Sequence, residues 1–334
     1  METIQLSGTG LTASRVALGT WAIGGWMWGG SDEAEAIRTI QSALDRGITL
    51  IDTAPVYGFG RAEEIVGKAL ADGNRRRRAL IATKAGLEWR EDGSVVRNAA
   101  ARRMRQEVED SLRRLKTDHI DLYQVHWPDP LVSIEETASA LHALLRDGKI
   151  RAIGVSNFSP LQMAAFRQAA PLHAIQPPYN LFERVMERDV LPYAAKNHLT
   201  VLAYGALCRG LLSGKIAADT HFDGDDLRRN DPKFQPPRFP QYLAAVAELE
   251  RLAYTRFGKT PLALAVRWIL DQGPTIALWG ARRAHQVDGL EDVFGWSLDA
   301  EAKREIDAIL ARNILDPVGP EFMAPPASLA RAAA

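Results

Sequence analysis

What the chain has little of narrows its function before any motif is considered. Its 334 residues include one cysteine, Cys208, so it can form neither an internal disulfide nor a multi-cysteine metal site. A reducing, cytoplasmic setting and an inert thiol are the corresponding expectations. There is no surplus of either charge: Lys plus Arg and Asp plus Glu number 41 each, leaving no global field to draw nucleic acid or an anionic membrane. No run approaches the about 18 apolar residues of a spanning helix, and METIQLSGTG lacks the basic and apolar regions of a secretory signal. His142, His173, His198, His221 and His285 show no metal-ligand spacing, so no metal is expected. No G-x-G-x-x-G follows a strand, which argues against a Rossmann domain.

What is present is an alternation of short β-rich apolar runs with stretches of helical periodicity, the pattern of a parallel sheet covered by helices. The runs are Val16–Thr20, Thr49–Thr53, Leu80–Lys84, Ile120–Val125, Arg151–Val155, Ala174–Gln176, Thr200–Tyr204 and Thr275–Trp279. Eight of them predict an α/β fold of the (β/α)8 TIM-barrel type. Ile37, Ile40 and Leu44 form one apolar helix stripe, and Met104, Val108, Leu112 and Leu115 another. Asp32 with Glu35 reads as a capping box, and Gly47 and Gly148 as left-handed helix stops. Leu6–Thr12 reads as the turn of an N-terminal β-hairpin capping the barrel bottom. Leu243–Phe257 and Ala300–Ala311 are two helices additional to the repeating unit. Residues 1–315 are expected to form a single barrel domain, and 316–334, rich in Pro and Ala, a tail that is poorly ordered unless it packs on a neighbour. Lys215–Gln241 is too long and polar for an ordinary connection and is expected to be a lid over bound cofactor. Arg75–Arg78 reads as a solvated loop.

Four polar residues fall at or just past the carboxyl ends of these strands, where barrels of this kind place their active sites. They are Asp52 and Tyr57 in IDTAPVYGFGRAEE, Lys84 closing ALIATK, and His126 in IDLYQVHWP. A lone strand-end Asp or Lys is ordinarily half of an ion pair; the four together describe a reducing site. A phenol with an unperturbed pKa of about 10 is a poor proton donor at neutral pH. A neighbouring lysine ammonium favours phenolate and lowers that pKa, and an aspartate holds the ammonium in place. Tyr57 then serves as general acid, while His126 hydrogen-bonds the same carbonyl oxygen. None of the four supplies hydride, so a nicotinamide is the economical partner.

These blocks resemble the aldo-keto reductase superfamily along nearly the full chain. LGTW (Leu18–Trp21), DTAPVYGFG (Asp52–Gly60), ATK (Ala82–Lys84), VHWP (Val125–Pro128), GVSNF (Gly154–Phe158) and RGLLSGK (Arg209–Lys215) occur in order. The resemblance implies that Tyr57 is the proton donor, Lys84 and Asp52 its tuning pair, and His126 the substrate-orienting group. It implies that Ser156, Asn157 and Gln176 hold the nicotinamide carboxamide and that Tyr204 stacks on the ring, with Gly19, Thr20, Trp21 and Asp52 beside them. Gly205, Leu207, Arg209, Gly210 and Lys215 would contact the pyrophosphate, and Gly280, Arg282 and Gln286 the adenosine end. Arg282 is the chief reason to expect NADP(H), with NAD(H) left open. The chain departs from the family pattern at Gly205, Ala206, Trp279, Gly289 and Leu290, around the pyrophosphate and adenine positions. Trp21, Trp26, Trp28, Tyr57 and Trp127 would line a substrate pocket suited to a small-molecule carbonyl, aromatic or small and apolar. Two alternatives stand beside the carbonyl reductase: a regulatory subunit like the potassium-channel β subunits, and an NAD-dependent sugar or alcohol dehydrogenase running oxidatively. A homo-oligomer is left open.

Overall fold

The eight apolar runs form strands that close on themselves. In the computed structural model, which describes residues 1–327, these are β1 (Val16–Gly19), β2 (Leu50–Asp52), β3 (Leu80–Ala85), β4 (Leu122–Val125), β5 (Ile153–Ser156), β6 (Ala174–Gln176), β7 (Thr200–Ala203) and β8 (Thr275–Gly280). They pair in parallel and in sequence order around a closed barrel, β8 returning to β1 through Trp279 opposite Leu18. Helices lie between consecutive strands, and a last one, Ala300–Asn313, follows β8. No helix of the described residues is long and apolar enough to cross a membrane.

Side chains alternate across each strand, so every second residue enters the barrel. The lower interior is apolar: Ala17, Leu50, Ala82, Leu122, Ala174, Leu202 and Ile276 pack together, joined by Leu6, Leu11 and Ala13. The last three belong to the N-terminal hairpin, Thr3–Gln5 against Thr12–Ser14, which plugs the barrel floor. The intervening strand residues face outward into a larger core shared with the helices.

Helix ends behave largely as their residues dictate. Gly47 and Gly148 adopt φ of +91° and +72°, conformations that cost other residues energy. Asp32 accepts from Glu35 N at 3.0 Å, but the reciprocal half of the box is absent. The Glu35 carboxylate is taken instead by Ala284 N–H at 2.9 Å and by Arg38.

Four features add to the sequence expectations. A second hairpin, Leu87–Trp89 with Val95–Arg97, rises from the end of β3. Arg75–Arg78 is a helical turn, with Arg76 reaching the buried Asp121 at 3.1 Å. The segment from Lys215 carries 3-10 turns at Leu227–Arg229 and Pro232–Phe234, then enters helix Arg238–Phe257. It is pinned to the Gly-rich loop after β1, Asp225 accepting from Met27 N at 2.7 Å and Gly29 N at 2.9 Å. Residues of the C-terminal tail turn back over the barrel mouth, where Arg97 N donates to Pro326 O at 3.0 Å and Arg97 Nε to Pro325 O at 2.7 Å. The remainder of the expected tail, 328–334, lies outside the described residues.

Candidate active site

The alternation that fills the barrel floor with Leu and Ala delivers polar residues one step higher. Above Leu50 stands Asp52, above Ala82 Lys84, above Leu122 Gln124, and above Ala174 Gln176. All four polar side chains are buried, and they bond across the barrel. Lys84 Nζ donates to Asp52 Oδ2 at 2.7 Å, while Asp52 Oδ1 accepts from Gln176 Nε2 at 2.8 Å. Gln124 Nε2 lies 3.4 Å from Asp52 Oδ1 and its carbonyl oxygen 3.3 Å from Gln176 Nε2. Gln124 was missed in the sequence, although its register with Asp52 and Lys84 is a usable signal.

Tyr57 reaches this layer from the loop after β2. Its backbone is fixed by a close approach in which Gly24 and Gly58 face each other: a Cβ on Gly24 would come within 2.6 Å of Tyr57 C, and one on Gly58 within 2.2 Å of Gly24 O. Lys84 Nζ donates to Tyr57 Oη at 3.2 Å and to Thr53 O at 3.0 Å. His126 stands edge-on to the phenol, ring centroids 5.8 Å apart. The structure therefore brings Asp52, Tyr57, Lys84 and His126 together.

The electrostatics differ from expectation at Tyr57. Burial pushes the phenol above its ordinary pKa and outweighs the opposing pull of Lys84. Burial also works against the Lys84 ammonium, but Asp52 and Tyr57 more than offset it and raise its pKa. His126 is held well below its ordinary value by burial and then by Lys84. The cluster at neutral pH is an ammonium flanked by a neutral phenol and a neutral imidazole.

Two cavities meet at this cluster, sharing Trp21, Tyr57, Tyr204 and Met323 as lining. The first runs over Gly19, Thr20 and Asp52, along Gly205, Leu207 and Gly210, to Gly280, Arg282 and Gln286. Ser156, Asn157 and Gln176 line the second, together with His126. Ser156 Oγ donates to Gln176 O at 2.7 Å, Asn157 Nδ2 to His126 O at 3.1 Å, and Tyr204 Oη to Asn157 Oδ1 at 3.0 Å. Gln286 Oε1 accepts from the backbone N–H groups of Arg282 and Arg283, shaping the loop after β8.

Three of the expected contacts stand differently from the rest. Arg209 borders the first cavity, but its guanidinium is buried on Glu183, at 2.5 Å, and on Asp231, within a cluster that Lys233 completes. Its charge is already compensated. Lys215 is exposed and lines neither cavity. Trp28 lines the first cavity and not the second, its ring edge-on to Trp21 at 5.5 Å. Trp26 and Trp127 do wall the second, with Val56, Leu87 and Val95. Phe322, Met323 and Pro325 close that wall from the tail, and Arg228 enters the first cavity from the Lys215–Gln241 segment. Those two segments have no periodicity from which their contacts could be read. Cys208 is buried, and burial foremost pushes its thiol up to about 12, so it carries no thiolate at neutral pH.

The aldo/keto reductase family model matches residues 15–311. The chain is 60% identical over 327 residues to aldo-keto reductase YhdN of Bacillus subtilis, covering 98% of each chain. It is 38% identical over 331 residues to the NADH-specific methylglyoxal reductase of Escherichia coli, covering 95% of this chain and 99% of that one. Among solved structures, the glycerol dehydrogenase AKR11B4 from Gluconobacter oxydans is similar at a TM-score of 0.88 and 60% identity, covering 96% of this chain and 99% of that one. With a family model spanning most of the barrel and relatives aligned nearly end to end, the chain belongs to the aldo-keto reductase family of oxidoreductases.

Proposed function

We propose that this protein is an NADPH-dependent reductase of aldehydes and ketones, with Tyr57 as proton donor. The observation that carries the reading is the position of Tyr57 Oη. It lies 3.2 Å from an ammonium held by Asp52, on the wall common to the two cavities. The first cavity can hold most of a dinucleotide, with the carboxamide residues Ser156, Asn157 and Gln176 where the second cavity meets it, and the rest of the second cavity can hold a carbonyl compound.

The first cavity suits a dinucleotide on its own residues. Among the described residues, Gly280 has nothing within 4 Å of where a Cβ would stand and Trp28 Nε1 is buried without a hydrogen-bond partner, while Arg228 and Arg282 add positive charge to the lining. When bound, the nicotinamide supplies hydride to the carbonyl carbon. Tyr57 gives its phenolic proton to the carbonyl oxygen, and its raised pKa means that it holds that proton at neutral pH. Lys84 stabilises the phenolate left behind, and Asp52 keeps the ammonium in place. Neutral His126 donates a hydrogen bond to the same oxygen and fixes its direction.

The second cavity, walled by Trp21, Trp26, Trp127 and Phe322, favours aromatic or small apolar carbonyl compounds. Relatives point to a second reading: one is named for methylglyoxal and NADH, another as a glycerol dehydrogenase. Alcohol oxidation by the same residues requires Tyr57 as phenolate, so it is favoured at alkaline pH. The test is loss of NADPH absorbance with aromatic, aliphatic and sugar aldehydes and methylglyoxal. It is repeated with NADH, and in reverse with glycerol and each oxidised cofactor. Fast NADPH turnover on aromatic aldehydes supports the proposal; turnover confined to NADH, or to glycerol, favours the second reading. Tight cofactor binding with negligible turnover in every assay would indicate a regulatory subunit.

A further inference from the structure

Part of the lining of the first cavity is out of charge balance. Arg228 and Arg282 both belong to it, and Arg283 is close enough to act on Arg282 electrostatically. Asp226 is the acidic group that acts on Arg282. Asp226 engages Arg228 along one edge of the guanidinium, Nε to Oδ1 at 2.9 Å and Nη2 to Oδ2 at 2.6 Å. Arg282 spends Nη1 on Trp28 O, a neutral carbonyl, at 2.5 Å. Burial and then the two neighbouring arginines depress the Arg282 pKa, the response of a cation held among cations.

The orientation of Arg228 is fixed. Its guanidinium carbon lies 4.1 Å from the Phe222 ring centroid and 5.3 Å from that of Trp28. The edge opposite Asp226 points to the glycine loop after β7: Nη1 would be 3.9 Å from a Cβ placed on Gly210, and it has no hydrogen-bond partner among the described residues. Gly210 has φ of +96° and lines the same cavity. A planar fork braced by a carboxylate and two rings, with its free edge over a glycine loop and a second guanidinium nearby, is built to receive an anion with phosphate geometry.

We propose that Arg228 is a phosphate-binding residue of the dinucleotide site, reaching into the first cavity from the segment between β7 and helix Arg238–Phe257. The proposal rests on the nicotinamide-dinucleotide reading above and adds to it the group that this segment contributes. The bound phosphate belongs either to the pyrophosphate, facing Gly210, or to the 2'-phosphate, facing Arg282.

Quenching of intrinsic tryptophan fluorescence by NADPH and by NADH separates these cases. It is measured on the full chain and on Arg228→Ala, Arg228→Lys and Arg229→Ala. Arg229 is exposed, bonds Gly224 O and lines neither cavity, so its loss controls for charge alone. Loss of one charge-assisted contact is expected to weaken binding about tenfold or more in Arg228→Ala. Arg228→Lys should recover part of that loss by keeping the charge without the fork, and Arg229→Ala should change affinity less than about twofold. Equal losses for the two cofactors assign the pyrophosphate; a loss confined to NADPH assigns the 2'-phosphate. Affinities of Arg228→Ala and Arg228→Lys for both cofactors that match Arg229→Ala overturn the proposal. If the unsubstituted chain quenches with neither cofactor, the dinucleotide reading itself fails, and this inference with it.

Discussion

Two buried polar clusters sit on opposite faces of the same strands, and only one has the means to do chemistry. Inside the barrel are Asp52, Lys84 and Gln124, with Tyr57 and His126 above them. Outside, the alternate residues of β3 and β4 meet two helices. Thr83 donates to Glu63 at 2.7 Å, Arg114 Nε donates to Glu63 at 2.7 Å, and Glu107 accepts from Gly86 N at 3.0 Å. Tyr123 is fully buried near both glutamates. Each cluster has at least one carboxylate, a cation and a tyrosine. The inner one opens on two cavities that share Tyr57; the outer one lines neither. Access to a substrate, more than the inventory of titratable groups, separates a candidate site from a buried ion-pair network.

Substitution should split the two faces. Tyr57→Phe is expected to lower kcat for carbonyl reduction by about 10²–10⁴-fold, the usual contribution of a positioned general acid, with cofactor binding retained. Single-turnover rates and cofactor titration check this, and an unchanged rate would remove Tyr57 from the chemistry. On the outer face, Arg114→Leu leaves the fully buried Glu63 carboxylate without its ion-pair partner. A loss of about 3 kcal/mol of stability is expected, with kcat per folded molecule preserved. Urea unfolding and active-site titration separate these effects, and a fall in kcat without a fall in stability would join the two clusters functionally.

The inner face was largely legible in the sequence, and the reason is geometric. Asp52, Lys84 and Gln176 occupy strand positions, where period-2 alternation and strand-end placement say which way a side chain points. The same rule applied to LYQV would have found Gln124. Arg209 shows where the reasoning stops: its charge looked available, but Glu183 and Asp231, both well away in sequence, consume it. Arg228, Phe322 and Met323 lie on stretches without periodicity, so only tertiary contacts place them at the cavities. The Leu87–Arg97 hairpin did carry a signal, Asp92-Gly93 between two short β-rich runs, with Gly93 at φ of +80°.

Titration should sharpen the contrast further. Burial above all raises the Glu107 carboxyl to about 7 from an ordinary 4.5, against the pull of Arg103 and Gly86 N–H. A raised folded pKa means that the folded chain holds this proton more tightly than the unfolded chain does. The associated stability is present below about 4.5 and is lost as pH rises through about 7, up to roughly 3 kcal/mol for this group. Glu107→Gln keeps an acceptor for Gly86 N–H and removes the titration. Its stability should vary less than that of the parent between pH 5 and 8, as read from urea midpoints. An unaltered pH slope would show that Glu107 is not the titrating group.

The smallest effect expected is also the most direct comparison, because the substitution is the same on both faces. Among the described residues Tyr123 Oη is buried without a hydrogen-bond partner, and the nearby glutamates add to burial in keeping it protonated. A buried hydroxyl left unsatisfied costs about 1–3 kcal/mol, so Tyr123→Phe should stabilise the fold, by about 1 kcal/mol once the repacking of the ring is allowed for. Carbonyl reduction should be unaffected. Tyr57→Phe, which removes the same atom from a phenol bonded to Lys84, should do the reverse: activity falls while the fold stays close to its original stability. A destabilised Tyr123→Phe would mean that an ordered water satisfies the hydroxyl and that the outer cluster is a complete network; a stabilised one leaves the inner tyrosine as the one whose hydroxyl the fold holds for chemistry.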